Sequence, residues 1–393
     1  MNSAIRFQAL KTFPFEYVAS LQKQQKEGKQ QDIIDFIPQS TGQQLVSSDQ
    51  IEILKNHVGK LDGYTEMRGL KKNREILAQS LNEELSLKIQ QQLKVCQKDN
   101  NEQQQQKEED FQIKINEDDI FFTFGVETCY WLVSSLLLEQ DEIVLIPKII
   151  QPYIYNSCAQ RMAQIKQYED FETLVSMLNE YEVKSVYIQN PQFLGDTILN
   201  GEQIQTLIKL ALEKNIVLVI EGQYNEFFIR NYNQANIIGI ETFRQFQSGW
   251  KINCLILQGI GFNIEVKKGI LNLLDIILMT NTISQSAFQE LQQKYGIDLD
   301  LKNQQENQVI FNNMFEKCSN IKIYGNYGVL KMNKFKKYSN ENELSSYLFK
   351  KYGYILYPGS LFGIDYQVLV FGLDQKNLEY IRKLAQVIES EII

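Results

Sequence analysis

Histidine is nearly absent from this 393-residue chain, which contains a single one, His57. A histidine-based metal site or a serine–histidine–aspartate triad would depend on that one ring. The surrounding stretch, QIEILKNHVGKL, has helical spacing, and a surface or capping role is expected there. The five cysteines are odd in number and form no CxxC pair, which predicts buried thiols in a reducing compartment rather than disulfides or a zinc site.

A surplus of positive charge is also missing. Forty-eight acidic side chains stand against forty basic ones, giving a net charge of −8. No nucleic-acid binding is expected, because the chain has no excess of cations to displace the counterions of phosphates. No run of eighteen apolar residues occurs, so no transmembrane helix is predicted. The N-terminal residues, MNSAIRFQALKTF, contain no apolar signal core, which favours a cytoplasmic protein or one with a very short mitochondrial presequence.

Short apolar runs and amphipathic helical stretches alternate through the middle of the chain. DIFFTF, EIVLIP, VKSVYIQNP and IVLVIEGQY have the pattern of strands, and the segments between them have helical spacing. This alternation predicts a three-layer α/β/α large domain with a mostly parallel sheet. The C-terminal part mixes helix and strand patterns and predicts a smaller α+β domain.

The same patterns divide the chain into three segments. Residues 1–45 are predicted to form an N-terminal arm and part of the small domain, residues 46–285 the large α/β domain, and residues 286–393 the small α+β domain. Within the large domain, residues 86–117 are rich in glutamine and poor in large apolar groups, so they cannot bury enough surface to offset the entropy of ordering. We interpret them as a surface insertion, either a disordered loop or a strap that binds a partner.

Seven short motifs follow one another along the chain. They are GYTEMRGLKKNREILA (63–78), TFGVET (123–128), DEIVLIP (141–147), NPQ (190–192), IVLVIEGQY (216–224), GWKI (249–252) and YPGSLFG (357–363). In this order and at this spacing they resemble the class I/II aminotransferases, pyridoxal-phosphate enzymes of fold type I. Each motif is weak by itself, whereas the set extends from about residue 14 to the end of the chain, interrupted by the glutamine-rich insertion.

The resemblance implies where a cofactor phosphate would lie. Gly125, Val126 and Glu127 match the turn at the start of a helix whose backbone N–H groups face the phosphate. Lys251 matches the family's phosphate-binding arginine, and it keeps the positive charge but loses the forked geometry of a guanidinium. The alternative for both features is purely structural, a helix start and a surface lysine.

The resemblance also implies contacts to the cofactor ring. Glu221 falls where the family has the aspartate that faces the pyridine nitrogen, so a carboxylate is kept on a stem one methylene longer. Tyr224 matches the tyrosine that hydrogen-bonds the ring hydroxyl. Tyr64 matches the tyrosine that reaches into the site of the neighbouring subunit, which implies an oligomer.

Other family positions have changed. The stacking aromatic falls at Gln151, with Tyr153 as a substitute after a small shift. The asparagine of the family's NPTG motif falls at Phe193, and the serine that precedes the family's lysine falls at Ile240. The arginine that binds the substrate carboxylate falls at Val368, whose side chain donates no hydrogen bond, so a bidentate clamp is lost.

The lysine that would carry the cofactor falls at Phe243. Its spacing from the GWK triplet is that of the family, and residues 231–250 contain no lysine that a shifted alignment could supply. Phenylalanine forms no imine and transfers no proton, and loss of a positioned acid–base group alone costs about 10²–10⁴ in rate. We expect Phe243 and Phe193 together to fill the former pocket.

These replacements lead to three hypotheses. The first is a catalytically inactive aminotransferase-like protein, a structural or interaction subunit of a homo- or hetero-oligomer that holds no covalent cofactor. The second is a pyridoxal-phosphate-dependent aminotransferase with residual or altered activity, in which Lys148 or Lys251 replaces the missing lysine. The third is a non-catalytic sensor of pyridoxal phosphate or another anion. No metal site is expected.

Overall fold

A computed structural model of the whole chain provides the structure. It describes residues 10–12, 14–23, 33–36, 48–58, 66–96, 114–195, 197–231, 234–243, 251–277, 282–295, 302–335, 337–373 and 378–392. Three parts of the sequence predictions lie outside these ranges. They are Tyr64, residues 97–113 of the insertion, and residues 244–250, which precede Lys251.

Strands and helices alternate through the large domain, as the sequence predicts. The N-terminal part contains α1 (Pro14–Lys23), β1 (Ile34–Asp35), α2 (Ser48–Val58) and α3 (Lys71–Cys96). There follow β2 (Ile120–Phe124), α4 (Val126–Leu137), β3 (Ile143–Pro147), α5 (Pro152–Ala159), β4 (Gln164–Tyr168), α6 (Phe171–Glu180), β5 (Val183–Asn190), α7 (Gly201–Glu213), β6 (Val217–Gly222), α8 (Tyr224–Arg230), β7 (Ile237–Thr242), β8 (Ile252–Gln258), α9 (Ile264–Ile277) and α10 (Thr282–Tyr295). Because α3 continues to Cys96, residues 86–96 of the predicted insertion are helical rather than loop.

The large-domain sheet has the strand order β2-β8-β7-β6-β5-β3-β4. Strand β8 is antiparallel to both of its neighbours, and the other pairings are parallel, which confirms the prediction of a mostly parallel sheet. The last residues of the parallel strands therefore lie along one edge, where β8 begins. Ligands bind at this edge in open α/β sheets.

Helices cover both faces of this sheet. One hydrophobic cluster joins the sheet to α3, α7, α8 and α10, and a second joins its other face to α4, α5 and α9. Local sequence sets where the helices start: the Asn200 side chain accepts a hydrogen bond from the Gln203 backbone N–H at 3.0 Å and begins α7. The two faces of the sheet are therefore covered by helices. The carboxyl ends of its parallel strands remain as the place where a ligand would bind.

The C-terminal elements form the smaller α+β unit that the sequence predicts. They are α11 (Lys302–Met314), β9 (Ile321–Tyr324), β10 (Tyr327–Lys331), α12 (Glu341–Tyr352), β11 (Tyr354–Ile355), β12 (Tyr357–Pro358), β13 (Val368–Gly372) and α13 (Leu378–Ile392). A four-stranded antiparallel sheet has the order β12-β13-β10-β9, and β1 pairs in parallel with β11. Among the helices of the described ranges, none combines the length and apolar composition needed to span a membrane.

The domain boundary predicted after residue 285 falls inside α10. Ala287 and Phe288 of this helix are fully buried in the cluster on the large-domain sheet. His57 Nε2 on α2 lies 3.1 Å from Glu290 Oε2 on α10, so the single histidine links two helices of the same domain. We propose that the large domain extends to the end of α10, because this helix packs on the large-domain sheet.

Candidate functional site

The turn between β2 and α4 matches the phosphate-binding turn of the resemblance. Gly125 precedes Val126, the first residue of α4, and has a φ of +87°, in the left-handed region that favours glycine. A Cβ atom at this position would lie 2.6 Å from Glu127 Oε2. The turn therefore requires glycine, and the Glu127 carboxylate already lies directly against it.

Lys251 lies at the same turn, immediately before β8. Its Nζ donates to Glu127 Oε1 at 3.0 Å and to Oε2 at 3.2 Å. Its backbone carbonyl accepts a hydrogen bond from the Gly125 N–H at 3.2 Å. The structure thus brings together the residues that the sequence predicted for the phosphate site, and it pairs them with one another.

A phosphate group is the part of pyridoxal phosphate that such a turn would hold. The residues present do not fit it, because the Glu127 carboxylate lies against Gly125 and has the same sign of charge as a phosphate. The ammonium group of Lys251 is bonded to that carboxylate, and the Gly125 N–H is bonded to a backbone carbonyl. Binding of a phosphate would require Glu127 to move away.

Glu221 lies at the end of β6, on the sheet edge where the resemblance expects a carboxylate. It is buried, and its Oε2 accepts hydrogen bonds from the Tyr130 hydroxyl at 2.8 Å and from Gln189 Nε2 at 2.9 Å. Burial, and next the charge of Glu221, hold the pKa of Tyr130 well above its usual value, so this phenol stays a hydrogen-bond donor. The chain itself supplies two neutral donors to this carboxylate.

Sequence reasoning missed both donors. Tyr130 lies on α4 one helical turn beyond Glu127, and Gln189 immediately precedes the NPQ motif. Each is a polar residue within an otherwise apolar stretch. A polar residue in such a stretch indicates a buried group that needs a hydrogen-bond partner.

Tyr224 is also satisfied by the chain itself. Its hydroxyl donates to Glu241 Oε2 at 2.5 Å, and burial raises its pKa well above the usual range. The ring packs against Gly239, where a Cβ atom would lie 2.9 Å from the ring. Glu241, a lone acid in the apolar strand IIGIET, was missed by sequence reasoning, and it holds the hydroxyl that the resemblance assigns to a cofactor.

Phe243, which the resemblance matches to the family's lysine, follows β7 and is 2% exposed. Its ring stacks on Phe122 of β2 with centroids 6.1 Å apart and an interplanar angle of 14°. It meets Phe288 of α10 edge-on at 5.1 Å. The Phe243 side chain is therefore part of an aromatic cluster in the large-domain core.

Phe193 and Val368 lie elsewhere, in an apolar cluster between the two domains. The Phe193 ring is 5.5 Å from that of Phe362 and 5.1 Å from that of Tyr327, and Val368 is fully buried in the same cluster. The prediction that Phe243 and Phe193 fill one pocket together is therefore wrong. The turn after β5 directs Phe193 towards the small domain, whereas Phe243 packs under α10.

A buried carboxylate supports the loop beside Val368. Glu341, at the start of α12, accepts hydrogen bonds from the backbone N–H groups of Gly359 (3.2 Å), Ser360 (3.1 Å) and Val368 (3.2 Å), and from the Ser360 hydroxyl. The backbone N–H of Val368, which the resemblance matches to the substrate-binding arginine, is thus bound to an acid of the same chain. Sequence reasoning missed Glu341, whose position at a helix start concealed its burial.

The remaining predicted positions lie on β7 and at the start of α5. Gln151 is buried at the start of α5, and Ile240 is buried within β7. The ring of Tyr153 is 5.7 Å from that of Tyr130, so an aromatic side chain does approach Glu221 from α5. Within the described ranges, no group of three His, Cys, Asp or Glu side chains could hold a metal ion.

Lys148, one of the two substitute lysines, is bound by two carboxylates. Its Nζ lies 2.7 Å from Glu169 and 2.6 Å from Asp365. Hydrogen bonds to Asp365 and then Glu169 raise its pKa above the ordinary value. An ammonium group held protonated in this way is a poor nucleophile towards an aldehyde.

The chain has an aminotransferase-like fold of type I. It consists of the large α/β/α domain, with the parallel strands ending along one edge of its sheet, and the small α+β unit. Solved aminotransferase structures match it over nearly their whole length. An aminotransferase from Escherichia coli has a TM-score of 0.73 and 11% identity, with 100% of this chain and 99% of that one covered. The alanine aminotransferase from Pyrococcus furiosus has a TM-score of 0.73 and 14% identity, with 99% and 100% covered.

An aspartate aminotransferase from Thermotoga maritima has a TM-score of 0.72 and 15% identity, with 98% of this chain and 100% of that one covered. No protein-family model matches the chain, and no curated protein matches it in sequence. At such low identities the likeness establishes the fold and leaves the chemistry to the residues themselves.

Proposed function

We propose that this chain is a catalytically inactive aminotransferase-like protein that acts as a structural or interaction subunit. One observation carries the proposal: Phe243, at the lysine position, packs in an aromatic core cluster with Phe122 and Phe288. No imine can form at a phenyl ring, and no proton can be moved by it. A fold that keeps its packing but lacks this reactive amine keeps its surfaces for contacts with other chains.

Three polar side chains that the resemblance assigns to the cofactor support the same proposal. Lys251 is bonded to Glu127, Glu221 accepts from Tyr130, and Tyr224 donates to Glu241. In an active enzyme of this family these groups would serve the cofactor, which supplies the electron sink for transamination. Here each has a partner within the chain, so the former site is stable without a ligand.

A pyridoxal phosphate titration of the purified full chain tests the absence of a covalent cofactor. Imine absorbance is followed, the mixture is reduced with borohydride, and the intact mass is measured. We expect no saturable adduct of one cofactor per chain, while an active aminotransferase treated in parallel acquires one. A stoichiometric adduct on any lysine would overturn the proposal, and Lys148→Ala and Lys251→Ala variants would locate it.

Residual aminotransferase activity is the competing enzyme function. It requires an unprotonated amine, whereas carboxylates bind both candidates, Lys148 and Lys251. Assays with several amino acids and 2-oxoglutarate should give no turnover above that of the Lys148→Ala/Lys251→Ala double variant. Turnover that the double variant abolishes would establish the enzyme function instead.

A non-catalytic sensor of pyridoxal phosphate or another anion is the second candidate. It rests on Lys251 and the start of α4, because a cation and a helix N-terminus together attract anions, and it requires Glu127 to move away from this turn. Thermal unfolding with phosphorylated vitamers separates the two functions, since a ligand at a hundred times its Kd stabilises a protein by about 2.7 kcal/mol. A structural subunit should show no shift, and a sensor a saturable one.

The subunit role requires an assembly. We expect a homo- or hetero-oligomer, and the native mass of the chain, measured at its concentration in the cell together with whatever co-purifies, tests this. A mass equal to one chain, with nothing bound in stoichiometric amount, would contradict the role.

A further inference from the structure

A groove between α1 and α12 lies outside the site described above. Its volume is about 920 Å³, within the range of pockets that bind small organic ligands. The lining residues that matter here are Tyr17, Leu21, Tyr338, Tyr347, Lys350 and Lys351. None of them belongs to the phosphate turn or to the Phe243 cluster, so neither the fold-type resemblance nor the proposed function accounts for this groove.

Aromatic rings form much of its wall. The rings of Tyr338 and Tyr347 lie 5.0 Å apart at an interplanar angle of 44°, and Tyr17 faces the groove from α1 beside the buried Leu21. Burial raises the pKa of Tyr17 to about 12, so its phenol stays neutral. Such a wall offers stacking surface to a flat ligand, as aromatic side chains do for the bases of single-stranded nucleic acids.

Ammonium groups lie around the same rings. Lys351 Nζ is 5.2 Å from the centroid of the Tyr347 ring and donates to its hydroxyl at 2.6 Å. Lys337 Nζ is 5.5 Å from the same centroid, and Lys350 lines the groove next to Lys351. This concentration of cations stands out in a chain whose net charge is −8, and it favours an anionic ligand.

One acid, Glu343, also lines the groove, but its carboxylate is bound elsewhere. It accepts hydrogen bonds from the Ser339 backbone N–H and hydroxyl, each at 2.7 Å, and these lower its pKa. Its charge therefore serves the turn that precedes α12. The lysines still outnumber it around the aromatic wall.

We propose that this groove binds a nucleoside phosphate, with the base against the tyrosine wall and the phosphate at Lys350 and Lys351. The base needs a flat, electron-rich surface, and the phosphate needs ammonium donors at the rim of that surface. Both are present on one wall of a cavity large enough for a mononucleotide. The proposal is independent of whether the former cofactor site is active.

Isothermal titration of the full chain with AMP, adenosine and inorganic phosphate tests it. We expect one saturable AMP site per chain, with adenosine and inorganic phosphate each bound at least tenfold more weakly. Lys351→Ala should weaken AMP binding about tenfold or more, because a hydrogen bond to a charged group contributes about 1.5–3 kcal/mol. Tyr347→Leu should weaken AMP and adenosine alike.

Lys383→Ala is the matched control. Lys383 Nζ lies 5.5 Å from the centroid of the Tyr380 ring on α13, a similar lysine–tyrosine pair outside the groove, and its removal should leave AMP binding unchanged. Circular dichroism verifies that each variant is folded. The proposal fails if AMP does not bind, if inorganic phosphate binds as tightly as AMP, or if folded Lys351→Ala binds AMP as the unmodified chain does.

Discussion

Phe243 and Lys251 lie at the same sheet edge, one after β7 and the other before β8, and they contrast a buried side chain with a partly exposed one. Phe243, which the resemblance matches to the family's lysine, packs its ring with Phe122 and Phe288, so this position contributes to the core. At Lys251 the charge is kept and bonded to Glu127, and both side chains remain more than a third exposed. The position of the Phe243 ring is fixed by core packing. The Lys251–Glu127 ion pair, in contrast, can open when one side chain moves.

Replacing Phe243 tests whether this position belongs to the core. It should have the largest effect on the free energy of unfolding. Phe243→Lys loses about 3–5 kcal/mol of ring packing. It also buries an amine, and burial can lower the pKa of a lysine by up to about 3–5 units. Each unit of that lowering corresponds to about 1.4 kcal/mol of free energy. We expect a total loss of more than about 5 kcal/mol in urea denaturation and no cofactor imine. Phe243→Leu, the control, should lose much less.

A different outcome at Phe243 would reverse the comparison. If Phe243→Lys were as stable as the unmodified chain and formed an imine with pyridoxal phosphate, the position would be an open pocket and not core.

Tyr130→Phe tests the hydrogen bond that the Tyr130 hydroxyl donates to the buried Glu221 carboxylate. It should have the next largest effect on the free energy of unfolding. Glu221 is buried and would lose one of the two donors to its Oε2, which costs about 1–3 kcal/mol of unfolding free energy. Urea denaturation measures it. In a double-mutant cycle, Glu221→Gln should cost less in the Tyr130→Phe background than alone. Additive effects would show that the hydrogen bond does not couple the two residues.

Glu127→Ala tests the Lys251–Glu127 ion pair. Its stability effect should be below about 1 kcal/mol, since exposed ion pairs contribute little. The variant should gain a phosphate-dependent rise in melting temperature, because Lys251 and the start of α4 would then face an anion. Glu142→Ala, which breaks the exposed ion pair with Lys184, should show no phosphate response. An equal response in the unmodified chain would mean that Glu127 does not exclude anions.

Alkaline titration gives the smallest effect near neutral pH. The buried phenols of Tyr130 and Tyr224 have pKa values raised well above the usual one in the folded chain. Their contribution to stability is complete below the unfolded pKa of about 10 and is lost as pH rises above it. Phenolate absorbance from these residues should therefore appear only with unfolding, and Tyr224→Phe should reduce that delayed fraction. Full phenolate absorbance before any loss of circular dichroism would contradict this.

Much of the architecture could be predicted because it depends on short-range pattern. The alternation of apolar runs with helical stretches fixed the parallel sheet, and the order of seven motifs indicated the aminotransferase-like fold. Helix boundaries are harder to predict: α3 continues into the polar segment up to Cys96, and α10 extends across residue 285 while packing on the large-domain sheet. Both depend on what a helix packs against, which periodicity alone does not contain.

The site divides in the same way. The resemblance assigns Glu221, Tyr224 and Lys251 to a cofactor site from the order and spacing of their motifs. Their hydrogen bonds to Tyr130, Glu241 and Glu127 could not be predicted, since each bond joins segments that are distant in the chain. The separation of Phe193 from Phe243 likewise follows from which way each turn directs its ring.

The amino-acid sequence alone determined the residue type at each motif position, because residue type is independent of folding, and the resemblance matches Phe243 to the family's amine. Only the tertiary structure decided what that ring and its polar neighbours do. Side chains from different strands and helices meet only in the folded chain, so the aromatic cluster around Phe243 and the internal partners of Lys251, Glu221 and Tyr224 exist only there.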